Sequence, residues 1–106
     1  MTETRVHPEV LARENRHVLD LVQALLGSIS PNMRAVSLEL LDDGVRIHVC
    51  LAQEDPDDRE EIAEIAFEFE ALQDRDITIE TVTVVGDLAA AGGLPGRQVY
   101  GRKEPG

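Results

Sequence analysis

Two short runs of alternating apolar residues around Asp42-Asp43-Gly44 constrain this chain more than anything else in it. Val36, Leu38 and Leu40 alternate with Ser37 and Glu39, and Val45, Ile47, Val49 and Leu51 alternate with Arg46, His48 and Cys50. A period of two puts all the apolar residues of a strand on one face. Asp-Gly suits a two-residue type I′ turn, whose central residues both need positive φ. With Asp43-Gly44 as that turn, Leu40 faces Ile47, Leu38 faces Val49 and Val36 faces Leu51. The other face then sets Glu39 against His48 and Ser37 against Cys50. A slip of one residue would turn one strand's apolar set into water, so the pattern demands a hairpin with one covered face.

Two amphipathic helices supply the cover. Pro8 opens the first, where its missing N–H costs nothing. Val10, Leu11, Val18, Leu19, Leu21, Val22, Leu25 and Leu26 follow at helical spacing as one apolar stripe, and Gly27 stops it. Ser30-Pro31-Asn32 makes a turn into the first strand. Asp55-Pro56-Asp57-Asp58 starts the second helix, with Asp55 as cap and acids at the positive helix end. Ile62, Ile65, Ala66, Phe69 and Leu72 form its apolar stripe. Asp57, Glu60, Glu61, Glu64 and Glu68 point away from that stripe, and Phe67 lies on the outward side near Glu60 and Glu64. Ile77 to Val85 reads as a β-branched strand. Residues 86–96 read as a mobile Gly- and Ala-rich loop, and Gln98-Val99-Tyr100 as a short edge strand within 97–103.

The order α-β-β-α-β(-β) predicts an α+β fold. It is a two-layer sandwich with two helices packed on one face of a mostly antiparallel 3-4-stranded sheet. The chain reads as a single domain over 1–106, with an ordered core over about 8–85 and disordered ends. A right-handed β–α–β step from the second strand places the third strand beside the first.

Charge is distributed far from evenly. Between Glu54 and Asp76 stand eleven acidic residues against Arg59 and Arg75, a net charge of −9 within a total of −11. Such a field attracts cationic partners and repels nucleic acid and anionic membranes. Only Phe67, Phe69 and Tyr100 are aromatic, so the core is aliphatic. The single cysteine, Cys50, excludes an intrachain disulfide and agrees with a reducing cytoplasm. Met1 to Glu9 is polar, without a signal-peptide core, and no apolar run approaches the ~20 residues of a membrane span. These features point to a cytoplasmic protein.

No motif competes with the acidic helix. Glu39, His48 and Cys50 are zinc-ligand types on one strand pair, but without a second Cys-rich element an ordinary polar sheet face explains them far better. His48 and Cys50 on a strand are no nucleophile pair without a cleft to orient them. A phosphate-cradling Gly-rich loop and the EF-hand spacing are both missing. The sequence therefore offers no catalytic, cofactor-binding or metal residue. Acidic helices are often merely solvated faces. Here, however, acids at 57, 61, 64 and 68 repel one another along one face with little local basic charge, and a Lys- or Arg-bearing partner would relieve them. Phe67 among them suits an interface anchor.

The segments PNMRAVSLELLDDGVRIHVC, EDPDDREEIAEIAFEFEAL and VYGRKE, over roughly residues 30–103, resemble small acidic immunity proteins. These belong to bacterial polymorphic-toxin and contact-dependent growth-inhibition systems. The resemblance implies a cytoplasmic antitoxin without enzymatic activity that binds one cognate toxin domain. The expected partner is a basic nuclease, held by Asp57, Asp58, Glu61, Glu64, Phe67 and Glu68. Rival readings are an acidic adaptor or nucleic-acid mimic with no toxin partner, a metal protein or enzyme built on Glu39, His48 and Cys50, and a dimer through the exposed tail strand.

Overall fold

Val36, Leu38, Val45, Ile47, Val49 and Leu51 are all buried, and they meet Leu21, Leu25, Ile62, Ile65 and Phe69 in one cluster. The hairpin's apolar face is thus the floor of a single core and the two helices are its roof. Each of these side chains contributes about 1.5–3 kcal/mol by leaving water. The computed structural model describes residues 7–87 and 93–103. Its elements are α1 (Pro8–Leu25), β1 (Met33–Leu41), β2 (Gly44–Leu51), α2 (Pro56–Ala71), β3 (Thr78–Val85) and β4 (Arg97–Gly101). This is the expected α+β sandwich. No helix among the described residues is long and apolar enough to cross a membrane.

The hairpin register differs from the expectation by two residues. Leu40 pairs with Val45, Leu38 with Ile47 and Val36 with Val49, so the turn is Asp42-Asp43. Glu39 consequently faces Arg46, and Ser37 faces His48. A shift of two keeps every side chain on its own face, which is why the apolar pattern tolerates it. Neither aspartate takes a positive φ, so the turn is not type I′. Gly44 serves a different purpose. A Cβ there would run into the backbone of Thr78, where β3 begins, and Thr78 N donates to Asp43 O at 3.0 Å.

The sheet order is β3-β2-β1-β4. Placing the third strand beside the first was incorrect. β3 runs parallel to β2 over eight pairs, from Gly44↔Thr78 to Leu51↔Val85. β2 is buried on both faces, His48 and Cys50 included, so it takes an inner position and receives a strand on each side. β4 occupies the other edge of β1, antiparallel, with a shift between Val36 and Ser37. The sheet is therefore mixed, with two antiparallel pairings and one parallel.

β3 and β4 lie at opposite edges and are joined through the segment 86–96. Both described ends of that segment lie on the face away from the helices. Cys50 Sγ donates to Gly86 O at 3.7 Å, Arg34 Nη1 donates to the same oxygen at 2.9 Å, and Ser37 Oγ donates to Pro95 O. Residues 88–92 of the expected mobile loop, and the chain ends 1–6 and 104–106, lie outside the described residues.

α1 corrects a third expectation. Its apolar residues do not form one buried stripe. The helix turns His17, Leu21, Ala24 and Leu25 inward, while Val10, Leu11, Leu19, Val22 and Leu26 stay exposed. The helix ends as expected, with Gly27 at φ 80° and Ser28 N donating to Leu25 O at 2.9 Å.

Candidate protein-docking face

α2 begins where the sequence says it should. Asp55 caps it, its carboxylate accepting from Asp57 N at 2.8 Å and Asp58 N at 3.4 Å, and Pro56 fills the first position. Such a cap contributes about 1 kcal/mol. Ile62, Ile65 and Phe69 then face the core, Ala66 is half-buried, and Leu72 at the C-cap is exposed.

The outward side carries the acids. Asp57, Glu60, Glu64 and Glu68 are exposed, and Glu61 is half-buried at the margin. Among the described residues none of these five makes an ion pair with a basic side chain of this protein. The one arginine of α2, Arg59, turns back to Glu54, with contacts of 2.6 and 2.8 Å. That pairing holds the Glu54 carboxyl below its usual range. It leaves the rest of the face without a cation.

Asp58 does not join them. It is 7% exposed and accepts a hydrogen bond from Asn32 Nδ2 at 2.8 Å. Asn32 also donates to Gln53 O at 2.7 Å, and its Oδ1 accepts from Gln53 N at 2.9 Å. The turn before β1 thus clamps the start of α2. Its signal in the sequence was the asparagine of the Pro31-Asn32 turn, a residue that carries both a donor and an acceptor.

Phe67 is 64% exposed and borders a shallow notch lined by Ala63, Ala66, Glu70 and Ile79. The two alanines leave the space, and Ile79 comes from β3, the edge strand beyond them. No local pattern of residues indicates that Ile79 lies there, because the notch exists only once β3 is beside α2. Among the described residues the face thus combines a line of unpaired carboxylates, an exposed ring and the edge strand β3.

The sheet face away from the helices is chemically quieter. Glu39 accepts from His48 Nε2 at 2.9 Å and from Arg46 Nη1 at 3.2 Å, while Arg46 also reaches Glu80 at 2.8 Å. The hydrogen bond from His48, then those from Arg46, hold the Glu39 carboxyl below its ordinary value. These contacts tie three strands together. Cys50 is buried among backbone oxygens. Among the described residues no three His, Cys, Asp or Glu side chains stand close enough to hold a metal ion.

The family model described as MafI2 immunity protein covers residues 14–104 of this chain, from the middle of α1 past the end of β4. No curated protein matches it.

Proposed function

The chain belongs to the MafI2 immunity protein family, and from that premise we propose that it neutralises its toxin by laying the acidic side of α2 against a basic surface of the toxin domain. Membership of an immunity family implies a cognate toxin as partner and suggests an inhibitor rather than an enzyme. The finer reading rests on one observation. Asp57, Glu60, Glu64 and Glu68 face solvent without a cationic partner among the described residues, and Phe67 stands exposed among them. Glu61 adds charge at the margin, whereas Asp58 is spent on the clamp and drops out of the contact set.

A nuclease fits this face best. It must hold phosphates, so its groove is rich in Lys and Arg. A carboxylate line would lie in that groove as the substrate backbone does and shut nucleic acid out. Phe67 gives the contact an apolar centre from which water is expelled. The setting consistent with this role is the cytoplasm of a cell that makes the toxin, within a polymorphic-toxin or contact-dependent growth-inhibition system.

Electrostatic steering gives the test. Glu61→Gln, Glu64→Gln and Glu68→Gln together should slow association with the cognate toxin domain about tenfold or more at low salt and flatten its salt dependence. Stopped-flow mixing over a salt series reads both. An unchanged rate in the triple variant sinks the steering mechanism and leaves the immunity role standing.

A further inference from the structure

The notch beside Phe67 is chemically more selective than the acidic face around it. Ala63, Ala66, Phe67 and Glu70 follow one another at three- and four-residue spacings, so they share one side of α2. Ile79 pairs with Val45 in parallel register, which puts its side chain on the core side of the sheet, under that side of the helix. The two alanines and Ile79 make apolar walls, the exposed ring of Phe67 stands beside them, and the exposed, acidic Glu70 completes the lining. Among the described residues Glu70 has no ion pair. The notch holds about 260 Å³, less than the ~300–1,000 Å³ of a small-molecule pocket, and so suits one side chain of a partner. It opens on the β3 side of the helical layer. The described ends of segment 86–96 lie on the opposite face of the sheet, and α1, with which the described chain begins, lies toward β4.

We propose that this notch takes a single arginine side chain of the toxin, a subsite that rests on the docking role given to α2 above. The lining selects the occupant. An apolar side chain would fill the walls but strip water from Glu70 without replacing it, which costs free energy. An acidic side chain would be repelled by Glu70 and by the carboxylates along the helix. Arginine meets each part of the lining. Its aliphatic stem packs on Ala63, Ala66 and Ile79. Its guanidinium plane lies over the ring of Phe67, and its N–H fork donates to the Glu70 carboxylate. Lysine shares the stem and the charge, but it has no plane to lay on the ring and no fork to engage both carboxylate oxygens.

Nuclear magnetic resonance titration of the full chain with acetyl-Gly-Arg-Gly amide tests this without any toxin. The expected result is a saturable shift confined to the amides of Ala63, Ala66, Phe67, Glu70 and Ile79, with a dissociation constant of roughly 1–10 mM. The lysine and leucine counterparts should bind about fivefold more weakly or less. Ala63→Leu, which plugs the notch from an exposed helical position, and Glu70→Gln should each abolish the shift. No saturable shift, or shifts spread evenly along the acids of α2, overturns the proposal. Equal binding of the leucine peptide also overturns it and assigns the notch to an apolar side chain. With the cognate toxin domain, Ala63→Leu should raise the dissociation rate about tenfold and leave association near the wild-type rate. An unchanged dissociation rate overturns the subsite. Sedimentation velocity covers one further occupant, because a wild-type dimer that Ala63→Leu dissociates assigns the notch to a second copy and overturns the proposal. The peptide titration involves no toxin and the steering test reads association, so the subsite and the docking mechanism fail separately.

Discussion

Asp57 and Asp58 stand side by side in the first turn of α2, and the rotation of about 100° between successive helical residues sends them to opposite environments. Asp57 faces water, and Asp58 anchors Asn32 beneath the helix. Asp58→Ala should therefore lower unfolding free energy by about 1–3 kcal/mol in urea titrations, by stranding the half-buried Asn32 donor. Its association rate with the toxin should stay close to that of the wild type. His17 shows the same dependence on environment. Burial is the largest influence on its imidazole and holds it below the ordinary 6.5, Asp20 opposing and Arg13, Arg16 and Arg75 reinforcing. Its Nδ1 has no hydrogen-bond partner among the described residues. The unfolded chain then takes up this proton more readily than the folded one. The stability held above pH 6.5 declines as pH falls below that value and is fully lost below the depressed folded value. Thermal melts from pH 7.5 downward should show this slope, and His17→Phe should flatten it.

At the scale of elements, Gly44 couples the hairpin to β3. The residue looked like turn chemistry, and its real constraint is the approach of Thr78. Gly44→Ala should cost about 1–3 kcal/mol or more, because the obstacle is backbone and cannot rotate aside. Hydrogen exchange at the start of β3 should quicken first if that reading holds. α1 and α2 make a related contrast. The acidic side of α2 was legible because charge and apolar residues alternate at helical spacing around one core stripe. α1 was not, because apolar residues surround more than half of it, and periodicity does not say which of two apolar sides meets the sheet.

Across the whole molecule, charge is polarised along the helical layer. The carboxylates from Asp57 to Glu68 extend over roughly 16 Å of helix at 1.5 Å per residue. That is about twice the screening length of ~8 Å at physiological salt, and half the ~30 Å at 0.01 M. At low salt the line acts as one charge, and at physiological salt each carboxylate steers only what is near it. The steep salt dependence expected of toxin association follows from this crossover. The two sheet edges divide in the same way, β3 beside the acidic face and β4 beside the near-neutral flank of α1.

The sequence by itself determined what depends on a few neighbouring residues. It set which side of each hairpin strand is apolar, where α2 starts, that Asp57, Glu60, Glu64, Glu68 and Phe67 point outward, and that a short strand closes the chain. These follow from periods of 2 and 3.6 and from a cap, all of them local physics. Only the tertiary structure decided the two-residue register, the inner place of β2, the parallel partner of β3, the inward turn of Asp58 and which flank of α1 meets the core. Each of these compares alternatives that are equal over short range and separate only when a distant segment, such as Thr78, Asn32 or β4, arrives to fill the space.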